Sequence, residues 1–408
     1  WLVPHFEKML YDNAQLARVY LHAWQVSDRP LFRAVVEETL DYVIREMTNT
    51  QGGFCATQSA ESEGQEGRFF VWTYDEILET LGDDAQAFLE AYNVRPGGNW
   101  ESTNILTFTG AWDERQALEG ARQRLFAARE RRVRPDTDDK ILTSWNGLML
   151  AAFAEAGRVL RRDDYIQVAR ENAEFLLDEL RAEDGHLLHT WRDGQAKVRG
   201  YLDDYANLVD GLLALYQTTF EPRWFQLARQ LTERTLVHFR APQGGFFDTS
   251  DAHEELITRP RSLQDNAVPS GNAVTVFNLL RLSQLAVEPA YEEEARRSLR
   301  QVQSMMARYP LGFGQWLIAT EYALAETREI AILGVKESAA VRVLLDVCED
   351  GFRPHQIVAV GRAGAQAADA VPLLSDRQLV DGQATAYVCV DFTCLQPVTD
   401  PEELKKLL

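Results

Sequence analysis

Apolar residues recur along the first 326 residues at the three- and four-residue spacing of amphipathic α-helices. The pattern predicts helix pairs in which the first helix is apolar on all sides and the second on one face only. Each pair closes near a glycine-containing turn such as Gly52-Gly53-Phe54 or Gly244-Gly245-Phe246. Four pairs are predicted, at 4–24 with 30–44, 140–159 with 163–180, 201–216 with 224–239, and 265–285 with 289–309.

This repetition predicts a mainly α fold, an (α/α)6-type toroid with inner helices ringed by outer ones. A further inner-type helix over 315–325 has no partner, and 74–93 with 113–132 form an excursion after a strand at 68–72. A closed ring of six hairpins needs helices that this chain lacks, so we expect the toroid to be without its N-terminal helices and upstream sequence to be missing.

The pattern changes after residue 326, where short apolar runs alternate with one helix. Strands are expected at 329–334, 356–360 and 384–390, with a helix over 339–348. The order strand, helix, strand predicts a small parallel α/β unit. The expected domains are therefore an α/α toroid, six-hairpin glycosidase-like, over 1–326 and an α/β appendage over 327–408.

Composition and net charge limit the kinds of partner that the chain is expected to bind. The chain has 408 residues, 46% of them hydrophobic, and a net charge of −20, as expected of a soluble cytoplasmic protein. This charge repels phosphate backbones and anionic lipid, so neither nucleic acid nor membrane is an expected partner. Of the four cysteines, only Cys389 and Cys394 are suggestively spaced. They are two small apolar residues near a strand or, alternatively, a redox pair or half of a metal site.

The opening segment concentrates ionisable groups on one face. If 4–24 is helical from Pro4, His5 and Asp12 lie on the same side about 10 Å apart along the axis, with Lys8 near that edge. That separation suits two groups that flank a substrate rather than bond to each other. Histidine can act as acid or base at neutral pH, although a structural hydrogen bond between hairpins is the competing interpretation.

Several segments resemble the spermatogenesis-associated, thioredoxin-domain-containing family over nearly the whole chain. They are Val3–Leu16, Asp139–Met149, Tyr201–Tyr205, Pro269–Asn272 and Ala386–Pro401. The resemblance implies a barrel like that of N-acylglucosamine 2-epimerases and six-hairpin glycosidases, preceded by a thioredoxin-like domain that is absent here. One loop departs from the family pattern, because Ser59 stands where the family usually has the first acid of an Asp-Ala-Asp-Ser-Glu-Gly sequence.

The starts of the inner helices provide the candidate chemistry. Sugar isomerases and glycosidases both need paired proton-transfer groups, and the catalytic candidates are His5, Asp12, Asp203, Asp204 and Asp265. Candidates for binding a small-molecule substrate, a sugar or sugar derivative, are Glu61, Glu63, Trp72, Lys140, Trp145, Asn146, Tyr205, Arg259 and Asn272. Helix capping is the competing role for each Asp or Asn at a helix start, and ion pairing for Lys140 and Arg259.

Two functions from different classes remain open. The first is a carbohydrate-active enzyme of carbohydrate metabolism, either an epimerase or isomerase or a hydrolase. Its site is expected at the toroid mouth, bordered by the acidic loop that contains Glu61, Glu63 and Glu66. The second is a non-catalytic scaffold or binding platform that works with the thioredoxin-like redox domain. No cofactor and no metal site is predicted, since His186 and His189 lack accompanying acids or cysteines.

Overall fold

The computed structural model of the protein describes residues 2–254, 256–363 and 371–408. Within these ranges the chain is mainly helical, with short strands between helices and one larger sheet near the C-terminus. The helices, in chain order, are α1 (Leu10–Ser27), α2 (Pro30–Tyr42), α3 (Tyr74–Leu81), α4 (Ala85–Ala91), α5 (Trp112–Ala117), α6 (Glu119–Arg129), α7 (Thr143–Leu160), α8 (Asp163–Glu179), α9 (Leu202–Thr219), α10 (Pro222–His238), α11 (Gly271–Leu285), α12 (Pro289–Arg308), α13 (Gly314–Leu324), α14 (Ala339–Glu349) and α15 (Pro401–Leu407).

The four predicted helix pairs are confirmed, and they form an arc of the predicted toroid. Successive inner helices α1, α7, α9, α11 and α13 pack side by side, while α2, α8, α10 and α12 cover them from outside. Almost every side chain of α7 and α9 is buried, as expected for helices that are apolar all round. Because each outer helix runs back along its inner partner, all five inner helices begin at the same end of the toroid.

Two glycines bring the central helices α7 and α9 close together. A Cβ at Gly147 would lie 2.4 Å from the backbone carbon of Asn207, and one at Gly211 would lie 2.8 Å from the carbonyl oxygen of Gly147. No side chain fits in that space. The two helices therefore pack backbone against backbone, which fixes the starting points of α7 and α9 relative to each other.

An asparagine near the start of an inner helix holds the glycine-containing turn of the preceding hairpin in two repeats. The Asn146 amide accepts from the Phe54 N–H at 2.9 Å and donates to the Phe54 carbonyl at 3.0 Å. Asn272 makes the same two bonds with Phe246, at 2.8 and 3.0 Å. Both asparagines are fully buried. The asparagine that recurs in these two repeats therefore has a structural role, which is to hydrogen-bond the preceding turn.

The start of the first helix differs from the prediction. Residues Lys8–Met9 form a short strand, β1, which pairs with β2 (Thr57–Gln58), and the helix begins only at Leu10. The Leu10 N–H donates to the carbonyl of Ala56, so pairing with this loop takes the place of a first helical turn. The prediction that His5 and Asp12 share a helical face is wrong.

The excursion between the first two pairs has its own small core, in which Trp72 packs with residues of α3, α4 and α6. The strand predicted over 68–72 does not form. Residues Arg68–Phe70 are in turns, and only Trp72 makes an isolated bridge, to Asn104. The short strands here are β3 (Glu61–Ser62), β4 (Gln65–Glu66), β5 (Thr137–Asp138) and β6 (Ile141–Leu142), followed by the hairpin β7 (Leu188–Arg192) and β8 (Gln195–Arg199).

The C-terminal sheet contains β9 (Arg328–Leu333), β10 (Gln356–Gly361), β11 (Thr385–Val390) and β12 (Thr393–Cys394), in the order β10-β9-β11-β12. β9 and β10 are parallel as predicted, but β11 pairs antiparallel with β9, so the sheet is mixed. Cys389 and Cys394 form a disulfide, which contradicts their interpretation as two apolar residues. Among the described residues, no helix has the length and apolar character required to cross a membrane.

Candidate functional site

The candidate site lies at the end of the toroid where the five inner helices begin. We call this end the rim, and define it by the helix starts at Leu10, Thr143, Leu202, Gly271 and Gly314. Aligned backbone N–H groups give a helix start a partial positive charge. Carboxylates are therefore stabilised here, and the chain places Asp12, Asp203, Asp204 and Asp265 at or next to these starts.

At the start of α9, two adjacent carboxyl groups differ in their surroundings. Asp204 is fully buried and accepts from the N–H groups of Ser144 at 2.9 Å and Tyr201 at 2.8 Å. Its carboxylate also lies 2.9 Å from Nδ1 of His189, on β7. Asp204 therefore joins the starts of two inner helices to a histidine, and its oxygens are all used within the fold.

Asp203, next to this pair, has a carboxyl group with a raised pKa. Burial and the neighbouring charge of Asp204 raise the pKa of the Asp203 carboxyl to about 7. Burial lowers the pKa of the neighbouring His189, but the hydrogen bond to Asp204 and the charges of Asp204 and Asp203 together outweigh this, and the net shift is upward. At neutral pH the Asp203 carboxyl is thus available in both protonation states, which is the property needed of a general acid or base.

Asp265 lies across the start of α11 from Asp203. Its carboxylate accepts from the N–H groups of Ser270 and Gln315, both at 2.8 Å, and so links the starts of α11 and α13. Gly271, which follows Ser270, packs against the backbone of Asp203, with its Cβ position 3.0 Å from the Asp203 nitrogen. Burial raises the pKa of Asp265 even though the two N–H donors oppose the shift.

A cavity of about 770 Å³ runs from the rim into the toroid, toward the C-terminal sheet. This volume is in the range of small-molecule sites. Aromatic rings and charged groups both line it, including Phe277, Tyr322, Phe352, Arg281, His22 and Asp265. Of the five residues expected to share one pocket (Asp12, Trp145, Asp203, Asp204 and Asp265), only Asp265 is in the lining of this cavity.

The wall of the cavity contains a network of buried ion pairs. Arg18 of α1 contacts Glu155 of α7 at 2.7 Å and Asp210 of α9 at 2.8 Å, and Arg281 of α11 contacts Asp210 at 2.6 Å. Burial alone would raise the pKa of Glu155 and Asp210, but the adjacent guanidinium groups hold both below their ordinary values. The network thus keeps two carboxylates ionised and joins four inner helices around the axis.

The remaining catalytic candidates lie toward the outer part of the rim. His5 is exposed in the extended segment before β1, with Nε2 3.5 Å from the Glu7 carboxylate. Burial raises the pKa of Asp12, and the charge of His5 acts in the opposite direction. The ring of Trp145 packs edge-on against the ring of Tyr11, with 4.7 Å between the ring centroids. An aromatic pair therefore lies near Asp12 at the starts of α1 and α7.

Most of the predicted binding residues are engaged elsewhere. Asn146 and Asn272 hold the turns described above, and the Tyr205 hydroxyl accepts from the Leu187 N–H inside the core. Other side chains are exposed or partly exposed and paired: Glu63 with Arg68, Lys140 with Asp138, and Arg259 with the carbonyls of His238 and Thr249. Trp72 is buried beneath Arg132. Glu61 lies in a separate shallow depression with Glu7, Asp136 and Asp138.

Sequence reasoning considered His189 only as a metal ligand and missed both its contact with Asp204 and the ion-pair network. The network partners are 137 and 192 residues apart, so no local spacing relates them. A signal was nevertheless present, because Glu155 and Asp210 interrupt the middle of otherwise apolar inner helices, where a charge must be paired. Among the described residues, no group of three or more His, Cys, Asp or Glu is placed to hold a metal ion.

No protein-family model matches the chain, but curated relatives do. The chain is 31% identical over 459 residues to spermatogenesis-associated protein 20 of Homo sapiens, an alignment that covers 100% of this chain and 58% of that protein. The protein of the same name from Rattus norvegicus gives the same identity and coverage. The chain therefore spans less than two thirds of the length of these relatives.

Solved structures with a similar fold include a sugar epimerase from a ruminal bacterium, with a TM-score of 0.49 and 8% identity over 73% of this chain and 61% of that one. A D-mannose isomerase gives a TM-score of 0.40 and 11% identity, over 73% of this chain and 76% of that one.

Proposed function

We propose, from the geometry of its rim, that this chain, which is similar along its length to spermatogenesis-associated protein 20, is a carbohydrate-active enzyme. The substrate class is a mono- or disaccharide or a close derivative, bound at the rim and in the cavity below it. The observation that supports this most is the position of Asp203, a carboxyl group with a pKa near neutrality beside the Asp204–His189 pair.

In the proposed mechanism, Asp203 and Asp265 exchange protons with the substrate from the two sides of the α11 start. Epimerisation needs one group to remove a proton from the carbon next to a carbonyl and another to return it. Hydrolysis needs one of them to protonate the leaving oxygen. Both reactions fit carboxyl groups whose pKa values are raised by burial.

Other residues bind the substrate or position the proton-transfer groups. Asp204 holds His189, and the positive charge favoured on that imidazole stabilises negative charge that develops near Asp203. The partly exposed ring of Trp145, packed edge-on against the buried Tyr11, offers an apolar surface for the face of a sugar. In the cavity, Arg281 and Gln315 provide donors, and Phe277 and Tyr322 provide apolar walls. His5 stays a candidate for a further proton-transfer group on the outer side of Asp12.

The test is a screen of the purified protein against monosaccharides, disaccharides and their N-acetyl forms in heavy water. Deuterium at a sugar carbon supports epimerase or isomerase chemistry, and newly released reducing ends support hydrolysis. If no sugar binds by calorimetry and none is converted, the proposal fails. The protein is then better described as a scaffold, whose carboxylates and guanidinium groups serve to join helices, as the Arg18 network does.

A further inference from the structure

The disulfide between Cys389 and Cys394 lies outside the proposed sugar site and has an unusual charged neighbour. The two cysteines face each other across β11 and β12, next to the turn that joins these strands. Cys389 is fully buried, whereas Cys394 is exposed. One sulfur is therefore open to attack from solvent and the other is not.

Arg377 contacts both sulfurs. Its Nη2 atom lies 3.4 Å from Sγ of Cys389 and 3.4 Å from Sγ of Cys394, and its Nη1 atom donates to the carbonyls of Leu373 and Ser375. A guanidinium group stabilises a neutral disulfide only slightly, but it strongly stabilises a negatively charged thiolate. The backbone carbonyls hold the cation in the place where it would stabilise the product of reduction.

The hairpin keeps the two sulfurs opposite each other independently of the bond between them. The Leu395 N–H donates to the Val388 carbonyl at 2.9 Å, and the two-residue turn at Asp391 and Phe392 has positive φ at both positions, as hairpin turns of this length favour. Phe392 is a bulky residue for such a conformation. The carboxylate of Glu329 accepts its N–H at 2.9 Å and so supports the turn.

We propose that Cys389–Cys394 is a site of reversible thiol–disulfide exchange. A thiolate from a low-molecular-weight thiol or a cysteine-containing peptide attacks the exposed Sγ of Cys394. The sulfur–sulfur bond breaks, and its electron pair leaves on Sγ of Cys389, beside Arg377. A second thiolate then attacks the external sulfur of the mixed disulfide and frees Cys394. In total, two thiols are oxidised to one disulfide, and the two cysteines take up two electrons and the two protons that the thiols release.

The test equilibrates the purified chain, without denaturant, in buffers of different ratios of reduced to oxidised glutathione, alkylates free thiols and measures each cysteine by peptide mass spectrometry. We expect Cys389 and Cys394 to open and close together and reversibly, while circular dichroism shows a retained fold. Cys55 and Cys348 are buried free thiols and serve as internal references. A second arm uses a cysteine-containing peptide in place of glutathione. Reaction in either arm supports the site and the faster arm identifies the thiol source, whereas reaction in neither overturns it.

Variants at Arg377 test the role of the cation. Arg377→Gln should slow reduction about tenfold, because the leaving thiolate loses its stabilising charge. Arg342→Gln, on α14 of the same sheet unit, is the matched control and should react at the wild-type rate. If Arg377→Gln does not fold, Arg377→Lys keeps the charge and should remain within about threefold of wild type. A disulfide that opens only in denaturant, or equal rates for Arg377→Gln and Arg342→Gln, would show a purely structural cross-link.

Discussion

At the scale of single residues, the same chemical group serves different purposes depending on its partners. Asp203 and Asp204 are adjacent in sequence, yet only Asp204 is fully buried and in contact with the His189 ring. Burial, followed by the charge of Asp204, raises the pKa of Asp203. A pattern of acids at helix starts therefore contains carboxyl groups in different surroundings, and the sequence pattern alone does not distinguish them.

Arg18 illustrates how strongly a buried charge depends on its partners. Replacing it as Arg18→Met would leave Glu155 and Asp210 without their shared cation in the cavity wall. We expect the free energy of unfolding to fall by about 3–5 kcal/mol, the usual cost of removing one partner of a buried ion pair. Chemical denaturation at neutral pH measures this.

Arg33→Met is the matched control, because Arg33 makes an exposed pair with Glu37 on the outer helix α2. Its effect should stay within about 0.5 kcal/mol. Arg18 lowers the pKa of Glu155 in the folded protein, so the ionised Glu155 stabilises the fold at pH values above about 4.5, the ordinary pKa of a glutamate. The difference in free energy of unfolding between the Arg18 variant and wild type should therefore shrink as the pH falls below about 4.5. Equal losses for both variants would contradict the assignment of the network.

At the scale of helices and strands, the sequence predicted what depends on local pattern. The inner and outer helices lie within a few residues of their predicted bounds, because burial of a continuous apolar face sets them. The helix expected from Pro4 begins at Leu10 because β1 pairs with a loop about fifty residues later. The aromatic run 68–72 has the composition of a strand, but Arg68–Phe70 lie in turns and only Trp72 makes a bridge, to Asn104.

The candidate site was predictable only in part, for the same reason. Carboxylates at inner-helix starts follow from the repeat, so Asp203 and Asp265 could be named in advance. The ion pairs of Arg18 depend on how distant hairpins are arranged in space, which no single segment encodes. The contact of His189 with Asp204 spans only 15 residues, but it depends on how the β7–β8 hairpin folds back onto the start of α9.

The close packing of α7 and α9 gives a prediction at this scale. Gly147→Ala should lower the free energy of unfolding by about 3 kcal/mol or more, because its Cβ would meet the rigid backbone of Asn207. Thermal and chemical denaturation measure the loss. Gly120→Ala on α6 is the control, since a Cβ there has no neighbour within 4 Å. It should be neutral or stabilising by up to about 1 kcal/mol, and a Gly147 variant as stable as this control would disprove backbone contact between the two helices.

At the scale of the whole molecule, the parallel start of five inner helices is what gathers the candidate chemistry. Carboxylates from α1, α9 and the segment before α11 meet at one rim because every outer helix returns the chain to the same end. The cavity below continues to the C-terminal sheet, whose residues Gln356, Ile357 and Val358 form part of its lining. Toroid and sheet thus enclose one space.

The most direct measurement is the turnover of Asp203→Asn on the sugar that the screen identifies, compared with wild type and with Asp178→Asn. Asp178 is an exposed carboxylate on the outer helix α8 and has no assigned role in the proposed mechanism. We predict that Asp203→Asn lowers turnover by a factor of about 10² or more, the usual scale for losing a general acid or base, while Asp178→Asn does not change it. The wild-type pH profile should inflect near the Asp203 pKa of about 7. Full turnover in folded Asp203→Asn, with that inflection unchanged, would contradict the proposed role of the rim.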